Sequence, residues 1–282
     1  MAEFRNVFCL KVMSRILEVS RSGFYDWLRR PQSSRQKGDA FWLKIIQGIF
    51  EDSDEVYGSP NIYQVLKQSG HSISKKRVAR IMRENGLISC YNAFKKPKTT
   101  DSKHDNPISP NLLERNFQAS APDRIWCSDI TYIWTAAGWV YLCQVKDLFS
   151  RKIVGWKVSY SLKTDFVLDT LYSAVQRRNP PAGLIFHSDR GVQYTSKEFR
   201  ALLNEYGMIS SMSRKGDCWD NAPAESFFAT LKRERVHRMS YRNIEEVKKD
   251  LFWYIEIFYN QKRLHSSNGY LSPAMFESKN AA

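Results

Sequence analysis

Three acidic residues have the type and spacing needed to hold a hard metal ion. Asp129 lies in an alternating stretch rich in aromatic residues, Asp189 follows the apolar run 184–187, and Glu225 lies in the first turns of a helical segment. Between the last two acids lie 35 residues. Divalent ions held by clustered carboxylates activate an oxygen nucleophile, assist the leaving oxygen and neutralise charge at phosphorus. The pattern therefore favours chemistry on a phosphodiester.

Each of these acids also has a purely structural explanation. A salt bridge would account for Asp129, and the turn at Arg190-Gly191 would account for Asp189. The position of Glu225, taken alone, does not distinguish a metal ligand from a structural residue. Three other acids are weaker candidates for metal ligands. Asp217 and Asp220 suit turns or helix caps, and Asp147 adjoins a turn. We expect Asp220 or Asn221 to cap the helix that carries Glu225.

The segment around these acids has the pattern of a mixed α/β domain. Alternation predicts strands over 124–134, 139–149 and 152–160, followed by a helix over 164–178. A short buried strand is expected over 184–187. The remaining predicted elements are a helix over 196–206, a strand over 208–212 and a helix over 221–235. This is the element order of a ribonuclease H-like core with a mixed five-stranded sheet and flanking helices, which we place at 116–240, with a C-terminal helical segment over 241–282.

The first 89 residues carry helical rather than strand periodicity. We predict a helix-turn-helix-like segment over 1–36, in which Ser20 or Ser22 caps the second helix. A plain helical hairpin that only packs on another element is the alternative. A helical DNA-binding module is predicted over 37–89, so that all-α modules precede the catalytic core. Its first helix has an apolar stripe formed by Phe41, Ile45, Ile46 and Ile49. Its last helix starts at a Ser74 cap and buries Val78, Ile81 and Met82.

Basic residues cover the other face of that last helix. Like charges at this spacing repel each other by a few tenths of a kcal/mol per pair, so an anion on this face would relieve a cost. A solvated charged face is the alternative. The segment 90–115 is a basic polar linker whose lysines are suited to follow a nucleic-acid backbone. The residues expected to contact DNA are Arg21, Lys75, Lys76, Arg80, Arg83, Lys95 and Lys96.

Composition narrows the class of partner. The formal net charge is +14, with a sequence pI of about 9.5, which favours a polyanion such as nucleic acid. The five cysteines stand far apart, which argues against a disulfide framework or a thiolate zinc site and fits a reducing cytosol. The longest apolar runs are too short to cross a membrane. We expect a soluble cytosolic protein without membrane association.

Short motifs along the chain resemble one known family. The core motifs are Trp126-x-x-Asp129-Ile130-Thr131-Tyr132, His187-Ser188-Asp189-Arg190-Gly191-x-Gln193-Tyr194 and Asp220-Asn221-Ala222-x-x-Glu225-Ser226-Phe227-Phe228. They resemble the catalytic core of the DDE transposases of bacterial insertion sequences, which are relatives of retroviral integrases. Outside the core, the matching motifs are Ser20-Arg21-Ser22-Gly23-Phe24-Tyr25, Tyr57-Gly58-Ser59-Pro60 and Tyr259-Asn260-x-x-Arg263-x-His265-Ser266-x-x-Gly269-Tyr270-x-Ser272-Pro273. The resemblance covers nearly the whole chain.

The resemblance implies a metal-dependent chemistry. Asp129, Asp189 and Glu225 would bind two Mg²⁺ or Mn²⁺ ions and catalyse strand cleavage and strand transfer without a covalent protein intermediate. Lys232 matches a basic residue that the family places seven positions after its glutamate. That offset returns to the same helix face, so Lys232 is expected to contact DNA beside the metal site. The His/Cys zinc spacing of retroviral integrases is not found, and no zinc is expected.

The same resemblance implies a place in the bacterial cytoplasm, at the nucleoid, and a set of partners. These are double-stranded DNA, as the terminal inverted repeats of an insertion sequence and as target DNA, and further copies of the chain in a homodimer or larger assembly. The chain resembles the downstream of two reading frames, so an upstream helix-turn-helix protein is a further candidate. Two other functions stay open at this point: a ribonuclease H-fold nuclease that does not join strands, and a catalytically silent DNA-binding regulator.

Overall fold

The structure, a computed structural model, describes residues 1–31, 33–89, 107–214 and 218–280, without the side chains of 218 and 219. Lys95, Lys96 and Asp217 therefore lie outside the described residues. Within the described ranges no helix is long and apolar enough to cross a membrane.

The first part of the described chain is helical, as predicted. Its helices are α1 (Leu10–Ile16), α2 (Arg21–Arg29), α3 (Ser34–Asp52), α4 (Ser59–Gln68) and α5 (Lys75–Glu84). The Ser20 side chain accepts the Gly23 N–H at 3.0 Å, and Ser74 accepts the Arg77 N–H at 3.2 Å. These bonds satisfy amide donors that the first helical turn leaves unpaired. Both expected caps are thus confirmed.

The burial of α5 is confirmed, and that of α3 is corrected in part. Val78, Ile81 and Met82 are at most 4% exposed. In α3, Ile46 is fully buried but Phe41 is 58% exposed. Asp39 sets the rotation of this helix, because Arg77 and Arg80 of α5 each bond it at 2.8 Å. Phe41 lies two positions further, about 200° around the helix, and so faces away from α5.

The remaining chain forms one mixed sheet with helices on both faces. The strands are β1 (Ile125–Thr135), β2 (Gly138–Asp147), β3 (Ile153–Ser159), β4 (Ile185–Ser188) and β5 (Ile209–Met212), in the order β3-β2-β1-β4-β5. β1 to β3 form an antiparallel meander, whereas β4 runs parallel to β1 and to β5. The helices are α6 (Thr164–Arg178), α7 (Val192–Thr195), α8 (Lys197–Glu205), α9 (Ala222–Glu234), α10 (Ile244–Phe252) and α11 (Pro273–Asn280). A π-helical stretch over 253–259 continues α10.

The predicted mixed five-stranded sheet is confirmed, and the short helix α7 was not predicted. The two faces of the sheet carry different helices. α6 and α8 cover the face that includes Trp126 and Val145, and α9 and α10 cover the face that includes Ile133 and Leu142. Gly155 of β3 permits α6 to approach closely, since a Cβ there would lie 2.7 Å from the Cβ of Ala174.

The front helices share a hydrophobic core with the last part of the chain. Ile46 and Phe50 of α3 belong to the same buried cluster as Phe227 of α9 and Tyr254. The Tyr57 hydroxyl donates to the carbonyl oxygen of Lys262 and accepts the N–H of Leu264, both at 3.1 Å. The division into five segments stays a prediction, and this shared cluster contains residues of three of them, 37–89, 116–240 and 241–282.

Candidate active site

Asp129 and Asp189 lie at the same level on neighbouring parallel strands. Cys127 of β1 is paired with His187 of β4, and each aspartate lies two residues further along its own strand direction. Neighbouring strands are about 5 Å apart, and equal offsets from a paired position place both residues side by side. β4 ends at Ser188 while β1 continues to Thr135. The two carboxylates therefore meet where the carboxyl end of β4 exposes the middle of β1.

The charge of Asp129 is destabilised by its surroundings. Burial raises the pKa of its carboxyl well above the usual range, and the charges of Asp189 and Glu225 raise it further. The N–H of Ile130 bonds one of its oxygens at 2.8 Å and acts in the opposite direction, as does the charge of Lys232. Asp189 and Glu225 thus both lie close enough to Asp129 for their charges to act on its carboxyl. An added cation there would relieve the repulsion.

Asp189 also has the turn role that the sequence left open. One of its oxygens accepts the N–H of Gly191 at 2.9 Å. A Cβ on Gly191 would lie 3.0 Å from that same oxygen, so the absence of a side chain permits this tight turn. The turn bond uses only one oxygen of the carboxylate, and it holds the other acceptor sites in a defined orientation beside Asp129.

Glu225 lies in the first turn of α9, and its side chain is exposed. The expected cap of this helix is wrong. Asn221 occupies the cap position but makes no side-chain cap bond. Asp220 is fully buried and instead accepts bonds from Arg214, Arg115 and Asn111 at 2.9–3.2 Å. Two arginines attract the carboxylate away from the helix end and hold the pKa of Asp220 well below its usual range.

His187 connects the strand of one acid to the helix of another. Its Nε2 bonds the backbone carbonyl of Asp220 at 2.9 Å, and its Nδ1 bonds the Ser211 hydroxyl at 2.9 Å. A carbonyl only accepts, so Nε2 carries the proton in this arrangement. Burial lowers the pKa of this histidine, which favours the neutral ring. His187 and Asp220 thus position α9 relative to β4; the motif named both residues, but neither role was predicted.

Lys232 is half-buried rather than extended into solvent. Its ammonium lies 4.5 Å from the ring centroid of Tyr132 on β1. Burial lowers the pKa of Lys232, while the charge of Asp129 acts in the opposite direction. The spacing of seven residues does return Lys232 to the face of α9 that carries Glu225. Its role in DNA contact stays a prediction.

The carboxylate oxygens around Asp129 are donors of the type that a divalent cation binds. The three acids are nevertheless too far apart in this structure to bind one ion together. Within the described ranges, no three Asp, Glu, His or Cys side chains are close enough together to bind a single ion. Gln144 lies directly opposite Asp129 in the β1–β2 pairing and is fully buried. Neither polar atom of its amide has a hydrogen-bond partner among the described residues. A buried amide without partners is costly, so a hydrated cation beside Asp129 would fit this environment.

Asp147 does not compete for the metal role. It is the buried last residue of β2, paired with Trp126 of β1. There it accepts the N–H of Phe149 at 3.0 Å and lies 3.8 Å from Arg178. Burial raises the pKa of its carboxyl to about 7. Its low rank as a candidate is consistent with this position in the β2–β3 turn.

The predicted DNA-binding residues differ in how accessible they are. Arg21, Lys75, Lys76 and Arg83 are exposed. Arg80 is not available in the same way, because it bonds Asp39 at 2.8 Å and Glu84 at 2.9 Å. These two acids reduce the repulsion that was expected to favour an anion on this face of α5.

Family models match three parts of the chain. An HTH-like domain matches residues 37–94, and integrase core domain models match residues 119–218 and 225–280. The two core matches together contain Asp129, Asp189 and Glu225. Sheet topology and these matches define a ribonuclease H-like polynucleotidyl transferase of the integrase and transposase class, with a helical HTH-like domain before it.

Sequence relatives identify the family more closely. The transposase InsF for insertion sequence IS3A of Escherichia coli (strain K12) is 40% identical over 277 residues, which cover 98% of this chain and 96% of the relative. The insertion element IS600 uncharacterized 31 kDa protein of Shigella sonnei is 38% identical over 267 residues, covering 95% and 98%. The chain belongs to the family of IS3-type insertion-sequence transposases.

Solved structures with a partial likeness come from the same class. A simian T-cell lymphotropic virus intasome in complex with PP2A regulatory subunit B56 gamma has a TM-score of 0.48 at 15% identity, covering 74% of this chain and 68% of that chain. The HTLV-2 integrase catalytic core domain in complex with magnesium has a TM-score of 0.43 at 15% identity, covering 56% and 98%. The family membership depends on the sequence relatives alone.

Proposed function

We propose that this protein is a DNA transposase that cuts the ends of its insertion sequence and joins them to target DNA. Asp129, Asp189 and Glu225 are the catalytic carboxylates, and two divalent ions, Mg²⁺ or Mn²⁺, are the cofactors. The observation that carries this proposal is the pair Asp129 and Asp189, side by side on parallel strands and electrostatically linked to Glu225. Neighbouring carboxylate charges that raise the pKa of Asp129 add no stability to the protein, so this arrangement favours a cation ligand.

The residues of the chain have separate tasks in this reaction. Asp129 and Asp189 form a preoriented pair of oxygen donors, and Glu225 completes the set by moving an exposed side chain on the first turn of α9. When bound, the two ions supply Lewis acidity that activates the attacking oxygen and offsets charge at phosphorus. Lys232 binds a phosphate of the DNA end beside this set.

The reaction consists of two exchanges at phosphorus. In the first, a water molecule loses a proton and its oxygen bonds to phosphorus. The bond from phosphorus to the 3′ oxygen breaks, and the 3′ oxygen takes a proton to become a 3′-hydroxyl. In the second, the 3′-hydroxyl loses its proton and attacks a target phosphodiester, which releases a new 3′-hydroxyl. The substrate is double-stranded DNA with terminal inverted repeats, and we propose that at least two copies of the chain assemble on it. An upstream-frame helix-turn-helix protein is a proposed further partner.

A strand-transfer assay on the element's own ends tests this function. We expect Asp189→Asn and Glu225→Gln each to abolish joined products while DNA affinity stays within a few-fold of the unchanged protein. Asp169→Asn is the matched control, because Asp169 is an exposed acid on α6. Cleavage without joining by the unchanged protein would favour a nuclease. DNA binding without either reaction would favour a regulator.

A second measurement tests the place of Lys232. Lys232→Ala removes one proposed phosphate contact, so the log-log salt slope of binding to terminal DNA should fall by about 0.9. Lys157→Ala is the control, since Lys157 is an exposed lysine on β3. Equal affinities and slopes for the two variants would contradict the assignment. A binding constant that hardly changes with salt would contradict the phosphate contacts altogether.

A further inference from the structure

A cavity of about 770 Å³ lies between the front helices, the sheet and the end of the chain. Its walls include two of the family motifs that the catalytic proposal leaves without a role, 57–60 at the start of α4 and 259–273. The start of α9 and the turn between β2 and β3 complete it. Residues that line this cavity include Ser59, Lys146, Arg151, Pro223, Arg263 and His265.

Positive charge dominates the lining. Lys146 is only 4% exposed, yet neither Lys146 nor Arg151 forms an ion pair with any carboxylate among the described residues. Arg263 is paired with Glu234. None of the lining residues is an aspartate or a glutamate. Burial and the charges of Arg151 and Arg263 lower the pKa of Lys146 to about 8, so a bound anion would favour its charged form.

Hydrogen-bond donors remain available in the same place. The Lys146 ammonium has three protons and gives one to the carbonyl of Pro223 at 3.0 Å. Arg151 makes one long bond, 3.4 Å, to the carbonyl of Phe117. The Nε2 atom of His265 is shielded from solvent and has no hydrogen-bond partner in the described part of the chain. These groups could together donate to several oxygens of one ligand.

The backbone at Arg151 supports a role for its side chain. Its φ is +66°, in the left-handed region that glycine or asparagine occupies at lower cost. The turn would therefore be easier to form with either of those residues. The chain therefore accepts a backbone cost at this position to carry a guanidinium beside the cavity.

We propose that this cavity binds a phosphate group of the DNA backbone, through Lys146, Arg151 and His265. A phosphate group would pair with the two cations, and its oxygens would accept hydrogen bonds from the remaining donors. DNA is the source on the further assumption that the proposed transposase function is correct. The site is distinct from the three carboxylates, but it borders the first turn of α9. Lys146 contacts Pro223, two residues before Glu225, so an occupied cavity is linked to the helix of the third acid.

Thermal unfolding with inorganic phosphate tests the ligand chemistry. The unchanged protein should melt at a higher temperature in sodium phosphate than in sodium chloride of equal ionic strength, since a ligand of the folded state raises Tm. Arg151→Asn should lose this difference while melting in chloride at or above the temperature of the unchanged protein, because asparagine tolerates this φ. Lys157→Gln, an exposed lysine exchanged outside the cavity, should keep it. An equal phosphate effect in Arg151→Asn would overturn the site.

Binding to terminal DNA tests the source of the phosphate. For Arg151→Asn we expect a weaker affinity and a log-log salt slope reduced by about 0.9, which corresponds to one lost contact. Lys146→Gln should give the same change, whereas Lys157→Gln should give none. A phosphate effect on Tm together with unchanged DNA binding would assign the cavity to free phosphate and overturn its role in DNA contact. Neither measurement requires cleavage or joining, so failure of the catalytic proposal would be seen separately.

Discussion

The buried ion pair between Glu234 and Arg263 leads to a quantitative prediction of stability. Glu234, at the end of α9, is fully buried, and Arg263 bonds its two oxygens at 2.6 Å and 2.9 Å. The Tyr254 hydroxyl adds a bond at 2.6 Å. Arg263→Gln removes the counterion and leaves a buried carboxylate with the tyrosine alone. Breaking a buried pair in this way costs about 3–5 kcal/mol of unfolding free energy.

Urea unfolding of matched variants measures this cost. Arg242→Gln is the control, because Arg242 is 85% exposed and solvent screens its pair with Glu246, so its loss should change the unfolding free energy little. The double variant Glu234→Met with Arg263→Met should lose less unfolding free energy than Arg263→Met alone. In the double variant no charge is left buried. The reasoning is refuted if Arg263→Gln unfolds within about 1 kcal/mol of the unchanged protein.

Two further predictions concern packing and pH. Gly155→Ala should destabilise the protein by about 1–3 kcal/mol, because the new Cβ would lie 2.8 Å from the Thr170 carbonyl oxygen on α6. Gly48→Ala in α3 is the control: its Cβ would meet open space, so this variant should be more stable. The urea midpoints of the two variants measure the difference. Asp147→Asn should flatten the pH dependence of stability. The folded pKa of Asp147, about 7, lies above the unfolded value, so its stabilising contribution is complete below about pH 4 and is lost as pH rises through 7. Tm should therefore fall less between pH 5 and pH 8 in the variant, and equal falls would count against the assignment.

Local patterns were sufficient to predict most elements. The helix predicted over 164–178 begins and ends as α6 does. The caps at Ser20 and Ser74 were predictable because a capping side chain bonds an amide only three residues away. The patterns also predicted that Asp129 lies within a strand and that Asp189 directly follows a short buried one, as observed. The parallel pairing that brings the two acids side by side joins distant parts of the chain, so local patterns did not predict it.

Contacts between distant residues account for what was wrong or missed. Phe41 faces solvent because Asp39 pairs with arginines of α5, which are 38 and 41 residues further along the chain. Asp220 bonds Arg115, at a separation of 105 residues, in addition to the nearby Arg214, and neither partner follows from the local cap pattern. The cavity around Lys146 combines segments from the front, middle and end of the chain. No local pattern distinguishes such a lysine from one on the surface.

The contact of Tyr57 has a consequence for the order in which the protein is made. Its buried hydroxyl at the start of α4 finds its partners at Lys262 and Leu264, up to 207 residues later. Every strand of the sheet lies between those positions in the chain. A ribosome therefore synthesises the whole sheet before the start of α4 can reach its final surroundings. During translation the front helices present to the cell an apolar surface that later parts of the chain cover, the end of the chain among them.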